Sequence, residues 1–198
     1  MVLERFRKAS EKYLEFLSKP FIMLGPTGAS ILGVLMAILA FVFFFYNYLL
    51  LAGFLVLLNG FFDMIDGYIA RRVGKSSKIG DLIDHTLDRI ADVFIMLGLT
   101  QSAYVSDSLG YLATIIMLLV SYMGTQAQAL GVGRIYAGIL GRADRIILIF
   151  IGCILQRIFT GKIWGLTVLD VLMLYFIVAG AITFAQRFKI AYEDLKNK

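Results

Sequence analysis

Four aspartates, Asp63, Asp66, Asp84 and Asp88, fall within 26 residues, inside or at the ends of strongly apolar stretches. An ionised carboxylate held near hydrocarbon costs roughly 2.5–3.5 kcal/mol on insertion scales unless a cation compensates it. Four of them so close together imply a strong positive partner. Any fold open to this chain has to gather them in one place and keep them from lipid.

The rest of the sequence makes lipid the solvent. The chain of 198 residues is 60% hydrophobic with a mean hydropathy of +0.82, against about 45–50% apolar residues in an ordinary soluble domain. Apolar runs of the roughly 20 residues needed to cross a bilayer recur from near residue 22 onward. The expected fold is an all-α integral membrane protein with six transmembrane helices at roughly 26–46, 49–72, 80–103, 108–131, 143–160 and 164–190. An amphipathic interfacial helix should precede them. Leu3, Phe6, Tyr13, Phe16 and Leu17 can share one face of residues 3–19, and charged residues cover the rest. Its mixed charge argues against a signal peptide. This divides the chain into an interfacial helix, 1–20, and a six-helix membrane domain, 21–198.

Sixteen of the 19 Lys and Arg residues fall in segments 1–20, 71–81, 134–145 and 187–198, while the turns near 47 and 107 hold none. The positive-inside rule then places both termini and the aspartates on the cytoplasmic side of the cell membrane. The single cysteine, Cys153, excludes an internal disulfide and a cysteine-based metal site. The aspartate array occurs once, which speaks against an inverted-repeat transporter.

Asp63 and Asp66 are three apart, Asp84 and Asp88 four apart, so each pair shares a helical face. Gly67, Ala70 and Gly80 leave those faces nearly bare, so a ligand and the backbone can approach closely. Carboxylate oxygens suit hard cations such as Mg2+ or Mn2+. Four exceed what one Mg2+ uses, so two ions, or one ion and a general base, fit better. Arg71 adds a planar fork for phosphate oxygens. Asp81 and Asp92 extend the row on either side and are expected to back the ligands or face the pore. His85, next to Asp84 in sequence, is expected to point away from the face of Asp88.

The array reads D-x2-D-G-x2-A-R-x8-G-x3-D-x3-D from Asp63 through Gly67, Ala70, Arg71, Gly80 and Asp84 to Asp88. In all eight identities it resembles the CDP-alcohol phosphotransferases. The resemblance implies two divalent ions held by Asp63, Asp66, Asp84 and Asp88, with Asp88 also taking the proton of the acceptor hydroxyl. It further implies a CDP-lipid donor contacted by Gly67, Ala70, Arg71, Ser77 and Gly80 and by the segment Pro26, Thr27, Gly28 and Ala29. CMP would leave. The family's dimeric state implies a homodimer, with membrane lipid and no nucleic acid as partners.

A second cluster, Gly141-Arg142-Ala143-Asp144-Arg145 with Gln186-Arg187, resembles the branch that makes phosphatidylinositol phosphate and its archaeal counterparts. There arginines grip the phosphate of inositol 1-phosphate, which implies Arg142, Arg145 and Arg187 as acceptor ligands. Gly141 stands where that branch has Glu, and Thr125-Gln126 where it has Ala-Arg, so Arg134 is expected to supply the missing basic contact. Asp144 is expected to hold Arg145. The rival acceptor is glycerol 3-phosphate; the rival class is a cation-coupled transporter, which would move substrate across sealed vesicles without nucleotide.

Overall fold

The computed structural model describes residues 15, 17–73, 78–135, 137–162 and 164–197. Most of the expected interfacial helix, and Ser77, lie outside the described residues. The chain is helical, with a 3-10 turn at Lys19–Leu24 followed by α1 (Gly25–Phe45), α2 (Leu49–Val73), α3 (Lys78–Thr100), α4 (Asp107–Ala129), α5 (Arg142–Ile158) and α6 (Val168–Lys196). Six long helices stand where six apolar runs are expected. Among the described residues, four segments are long and apolar enough to cross a membrane: Lys19–Phe45, Leu49–Arg72, Asp107–Ala129 and Val168–Lys196. The first half of α3 is crowded with charge, and α5 has 17 residues with three of them charged in its first turn.

The bundle is inside-out relative to a soluble one. Large apolar side chains such as Leu35, Leu39, Ile115, Leu119, Val178 and Ile182 are exposed, as a lipid-facing surface requires. The interior mixes large side chains such as Phe176, Leu169 and Met173 with small ones that let helices approach closely. On α1 the buried stripe is Ala29, Gly33, Ala37, Ala40 and Phe44, spaced at helical repeats, and α2 and α3 pack against it. A Cβ on Gly98 would lie 2.7 Å from the Phe41 Cα, so α1 and α3 touch backbone to backbone there. Elsewhere α2 packs on α5, α3 on α4, and α6 on both α4 and α5.

One end of the bundle is tied by its turns. Asn47 Oδ1 accepts from the Ala103 amide at 2.7 Å, and Asp170 Oδ1 accepts from the Ser106 amide at 2.7 Å. The last helix starts at Val168 rather than at 164 as expected. Trp164 and Gly165 have φ of 53° and 83°, and Thr167 and Asp170 cap the helix reciprocally. At the other end the 130–141 loop turns through Gly131, Gly133 and Gly138, all at positive φ, and docks on α6, where the Leu140 amide donates to Thr183 Oγ1 at 3.2 Å. All the aspartates of the array lie at this second end.

Candidate active site

The last turns of α2 carry Asp63 and Asp66; the first turns of α3 carry Asp84 and Asp88. Single oxygens of Asp63, Asp66 and Asp84 come within 4.8 Å of one another, and ligand atoms of Asp84, His85 and Asp88 do the same. Asp84 belongs to both groups, so the array forms two adjoining nests. Asp84 Oδ1 is buried and has no hydrogen-bond partner among the described residues. A buried carboxylate oxygen left unsatisfied is costly, and a divalent ion would satisfy it. The donor set, four carboxylates and one imidazole, fits such an ion.

Asp66 is buried and receives Ser30 Oγ at 2.7 Å from α1. Arg142, at the start of α5, reaches into the array. Its Nη1 donates to Asp63 at 2.6 Å and also to Asp88, and its Nε donates to Asp92 at 3.2 Å. Asn59 holds the Gly33 carbonyl at 2.9 Å and presents its own oxygen to Arg142 at 3.5 Å.

Two cavities flank the carboxylates. One, of about 220 Å³, is lined by Pro26, Thr27, Ser30, Asp66, Gly67, Ala70, Arg71, Gly80, Asp81 and Asp84. Of the expected donor residues that are described, all but two are thus brought together. Gly28 and Ala29 are not among its lining; Ala29 is buried beneath Ile65 and Ile69, so its smallness lets α1 sit close to α2. The other cavity, of about 320 Å³, is lined by Asp63, Asp84, His85, Asp88 and five arginines, Arg89, Arg134, Arg142, Arg145 and Arg187. The four expected acceptor arginines all reach it. Asp84 borders both spaces.

Two expectations need correction. Asp144 does not hold Arg145: its Oδ2 accepts the Gly141 amide at 2.8 Å, capping α5, while Arg145 Nη2 donates to Asp92 at 2.9 Å. Residues adjacent on a helix point about 100° apart, so they do not face each other. Nor does His85 turn away. It lines the arginine-rich cavity, and its Nδ1 accepts from Arg134 at 3.4 Å. Asp81 lines the smaller cavity, and Asp92 stands behind the ligands through Arg142, which also bonds Asp63 and Asp88, so both fall within the expectation. Arg187 is anchored on the carbonyls of Ala137 and Val120, each at 2.9 Å, which fixes its head at the cavity wall. Sequence reasoning gave no role to Ser30, Asn59 or Arg89. Arg89 left a signal, a cation set among the aspartates Asp84, Asp88 and Asp92.

The model of the CDP-alcohol phosphatidyltransferase family matches residues 23–185. The chain belongs to the CDP-alcohol phosphatidyltransferase family. Among its relatives, an archaetidylinositol phosphate synthase of Pyrococcus horikoshii is 33% identical over 162 residues, covering 81% of this chain and 86% of that one. Another, of Methanothermobacter thermautotrophicus, is 29% identical and covers 98% of this chain and 96% of its own. The fold matches a Mycobacterium tuberculosis phosphatidylinositol phosphate synthase with CDP-DAG bound, with a TM-score of 0.77, 24% identity, and coverage of 91% of this chain and 94% of that one. The same enzyme in complex with manganese and citrate gives a TM-score of 0.76 at 25% identity over 89% and 87%. As a CDP-alcohol phosphatidyltransferase, the chain is a membrane-embedded enzyme of phospholipid synthesis, and the eight identities of the array lie inside the matched region.

Proposed function

We propose that this enzyme transfers a lipid phosphoryl group from a CDP-linked lipid to inositol 1-phosphate and releases CMP. The carrying observation is the carboxylate array set between a cavity bearing one arginine and a cavity bearing five. An acceptor with its own phosphate dianion accounts for the second; a neutral alcohol would not need it. The archaeal relatives support CDP-archaeol as donor, with an archaetidyl group transferred; a phosphatidyl group from CDP-diacylglycerol is the comparison arm. That a phosphatidylinositol phosphate synthase with this fold was solved with manganese also supports the metal dependence.

In this reading Asp63, Asp66, Asp84 and Asp88 hold two Mg2+ or Mn2+ ions, which supply the positive charge that neutralises the diphosphate. Arg71 and the bare faces at Gly67, Ala70 and Gly80 seat the CDP group, together with Pro26, Thr27 and Ser77. Asp88 accepts the proton of the attacking hydroxyl. The acceptor oxygen then bonds to the lipid-linked phosphorus, the bond from that phosphorus to the bridging oxygen breaks, and CMP departs with that electron pair. Arg134, Arg142, Arg145 and Arg187 orient the acceptor phosphate.

The same reading makes all six helices cross the bilayer, with α3 and α5 turning their charged halves to the site, residues 1–20 lying on the surface and residues 21–198 forming one domain. The clustering of basic residues at the site end supports a cytoplasmic active site. The enzyme acts as a homodimer. The test is CMP release from CDP-archaeol and CDP-diacylglycerol with inositol 1-phosphate, glycerol 3-phosphate, inositol and serine as acceptors, with and without Mg2+. Turnover with inositol 1-phosphate and ion together is expected; turnover with glycerol 3-phosphate or free inositol instead overturns the acceptor assignment.

A further inference from the structure

The densest charge cluster beyond the carboxylate array surrounds Asp92. Its side chain is 11% exposed. Oδ1 accepts from Arg142 Nε at 3.2 Å; Oδ2 accepts from Arg145 Nη2 at 2.9 Å and from Arg89 Nη1 at 3.0 Å. A structural ion pair uses one cation per anion. Here one carboxylate gathers three guanidiniums, and all three line the same cavity. Arg142 is also neutralised by Asp63 and Asp88, so the surplus lies with Arg89 and Arg145, which share Asp92 as their one carboxylate partner among the described residues.

Arg89 shows where the surplus points. Its Nη1 is tied down twice, to Asp92 and to Ser121 Oγ on α4. Nε and Nη2 have no protein partner among the described residues. A guanidinium presents five N–H groups in a rigid fork, so most of this one's donors are uncommitted, on a head whose position is fixed from both sides. Fixing one nitrogen and leaving the others open is how an arginine is prepared for an oxyanion without losing much freedom on binding.

We propose that Arg89 is a further ligand for the acceptor's phosphate, and that Asp92 is the positioning residue that fans Arg89, Arg142 and Arg145 into the cavity. The assignment rests on the reading of that cavity as the acceptor site. It adds a group from α3, so the acceptor phosphate is held from the same helix that carries Asp84 and Asp88. The phosphate thereby registers the acceptor against the helix that carries the base.

The test uses the full chain reconstituted in lipid vesicles, with CDP-lipid as donor, and inorganic phosphate as a competitor of the acceptor. Arg89→Gln should raise the KM for inositol 1-phosphate by about 10- to 100-fold, the cost of a charge-assisted hydrogen bond. The inhibition constant of inorganic phosphate should rise with it, while the KM for CDP-lipid and Mn2+ binding hold. Arg89→Lys should recover part of the loss. Asp92→Asn should move the same two constants further, because it loosens three guanidiniums. Should Asp92→Asn not fold, Arg89→Gln still decides. An unchanged acceptor KM, or an equal rise in donor KM, overturns the proposal. Weakened phosphate inhibition in Arg89→Gln, in a protein whose wild type turns over no inositol 1-phosphate, would uphold the anion site and sink the substrate assigned to it.

Discussion

Ser30 should govern how tightly the carboxylates grip their ion, acting through its bond to Asp66. Its hydroxyl carries one proton and faces two acceptors, Asp66 Oδ2 at 2.7 Å and the Pro26 carbonyl at 3.1 Å. The shorter contact, to a carboxylate, takes the proton. Ser30 and Asp66 are 8% and 6% exposed, so water cannot readily replace the bond. Ser30→Ala deletes a hydrogen bond to a charged group, about 1.5–3 kcal/mol, and part of that returns as Asp66 relaxes. Partners of metal ligands elsewhere are worth about 10- to 100-fold in affinity, so a Mn2+ Kd about 10-fold weaker, near 1.4 kcal/mol, is expected. Free Mn2+ is counted by electron paramagnetic resonance in a titration of the purified enzyme. CMP release at saturating Mn2+ should return most of the way to wild type, with the acceptor KM unchanged. An unaltered Mn2+ titration, or an activity deficit that excess ion does not relieve, would refute the reasoning.

Asp88→Asn should lower kcat by about 10²- to 10⁴-fold, the range for loss of a general base, while Asp63, Asp66 and Asp84 still bind Mn2+ in the same titration. Asp170→Ala leaves the Ser106 and Thr167 amides, now held at 2.7 and 3.1 Å, without their acceptor. Ser106 is exposed and Thr167 half-buried, so water replaces part of each bond; at about 0.5–1.5 kcal/mol for each hydrogen bond lost, Tm in detergent should fall with the acceptor KM untouched. Gly110→Ala would put a Cβ 2.4 Å from Thr100 Oγ1, on a residue only 1% exposed. Overpacking of this kind costs about 1–3 kcal/mol, read as a lower Tm, and a companion Thr100→Ala should recover part of it.

The helices and the array were legible because each rests on local spacing. Apolar runs of bilayer length mark the spans, and Asp63, Asp66, Asp84 and Asp88 share faces by arithmetic alone. The start of α6 was legible too, had Thr167 and Asp170 been taken as a capping pair ahead of the apolar run. What sequence could not supply was the choice of partner across helices. Arg145 has Asp144 beside it, yet bonds Asp92, 53 residues away, because the α5 face that carries Arg145 packs into the bundle while Asp144 stays at the helix mouth. His85 misled for a related reason. A long side chain one position from Asp84 can still swing into a cavity both residues border. Ala29 misled through its size, since a small residue permits close approach of either a ligand or a neighbouring helix, and Ile65 and Ile69 take that space.

The charge distribution explains why one chain needs both clusters at the same end. Around the smaller cavity acids outnumber the lone Arg71, with Asp66, Asp81 and Asp84 on its wall. Around the larger one the arginines outnumber Asp63, Asp84 and Asp88. A diphosphate placed in the first needs added cations to be bound at all, whereas a phosphomonoester in the second needs none. In the proposed reading the divalent ions, held between the two cavities, neutralise the diphosphate, and acceptor affinity is carried mainly by protein charge. Arg142 sits on the boundary, bonded to Asp63, Asp88 and Asp92 together. Ions entering the nests compete with it for Asp63 and Asp88, and its bond to Asp92 is the one that holds it on the acceptor side when they do. If filling the nests thus completes the acceptor pocket, ion and acceptor share a free energy of binding: Mn2+ should tighten inorganic phosphate, and phosphate should tighten Mn2+ by the same factor.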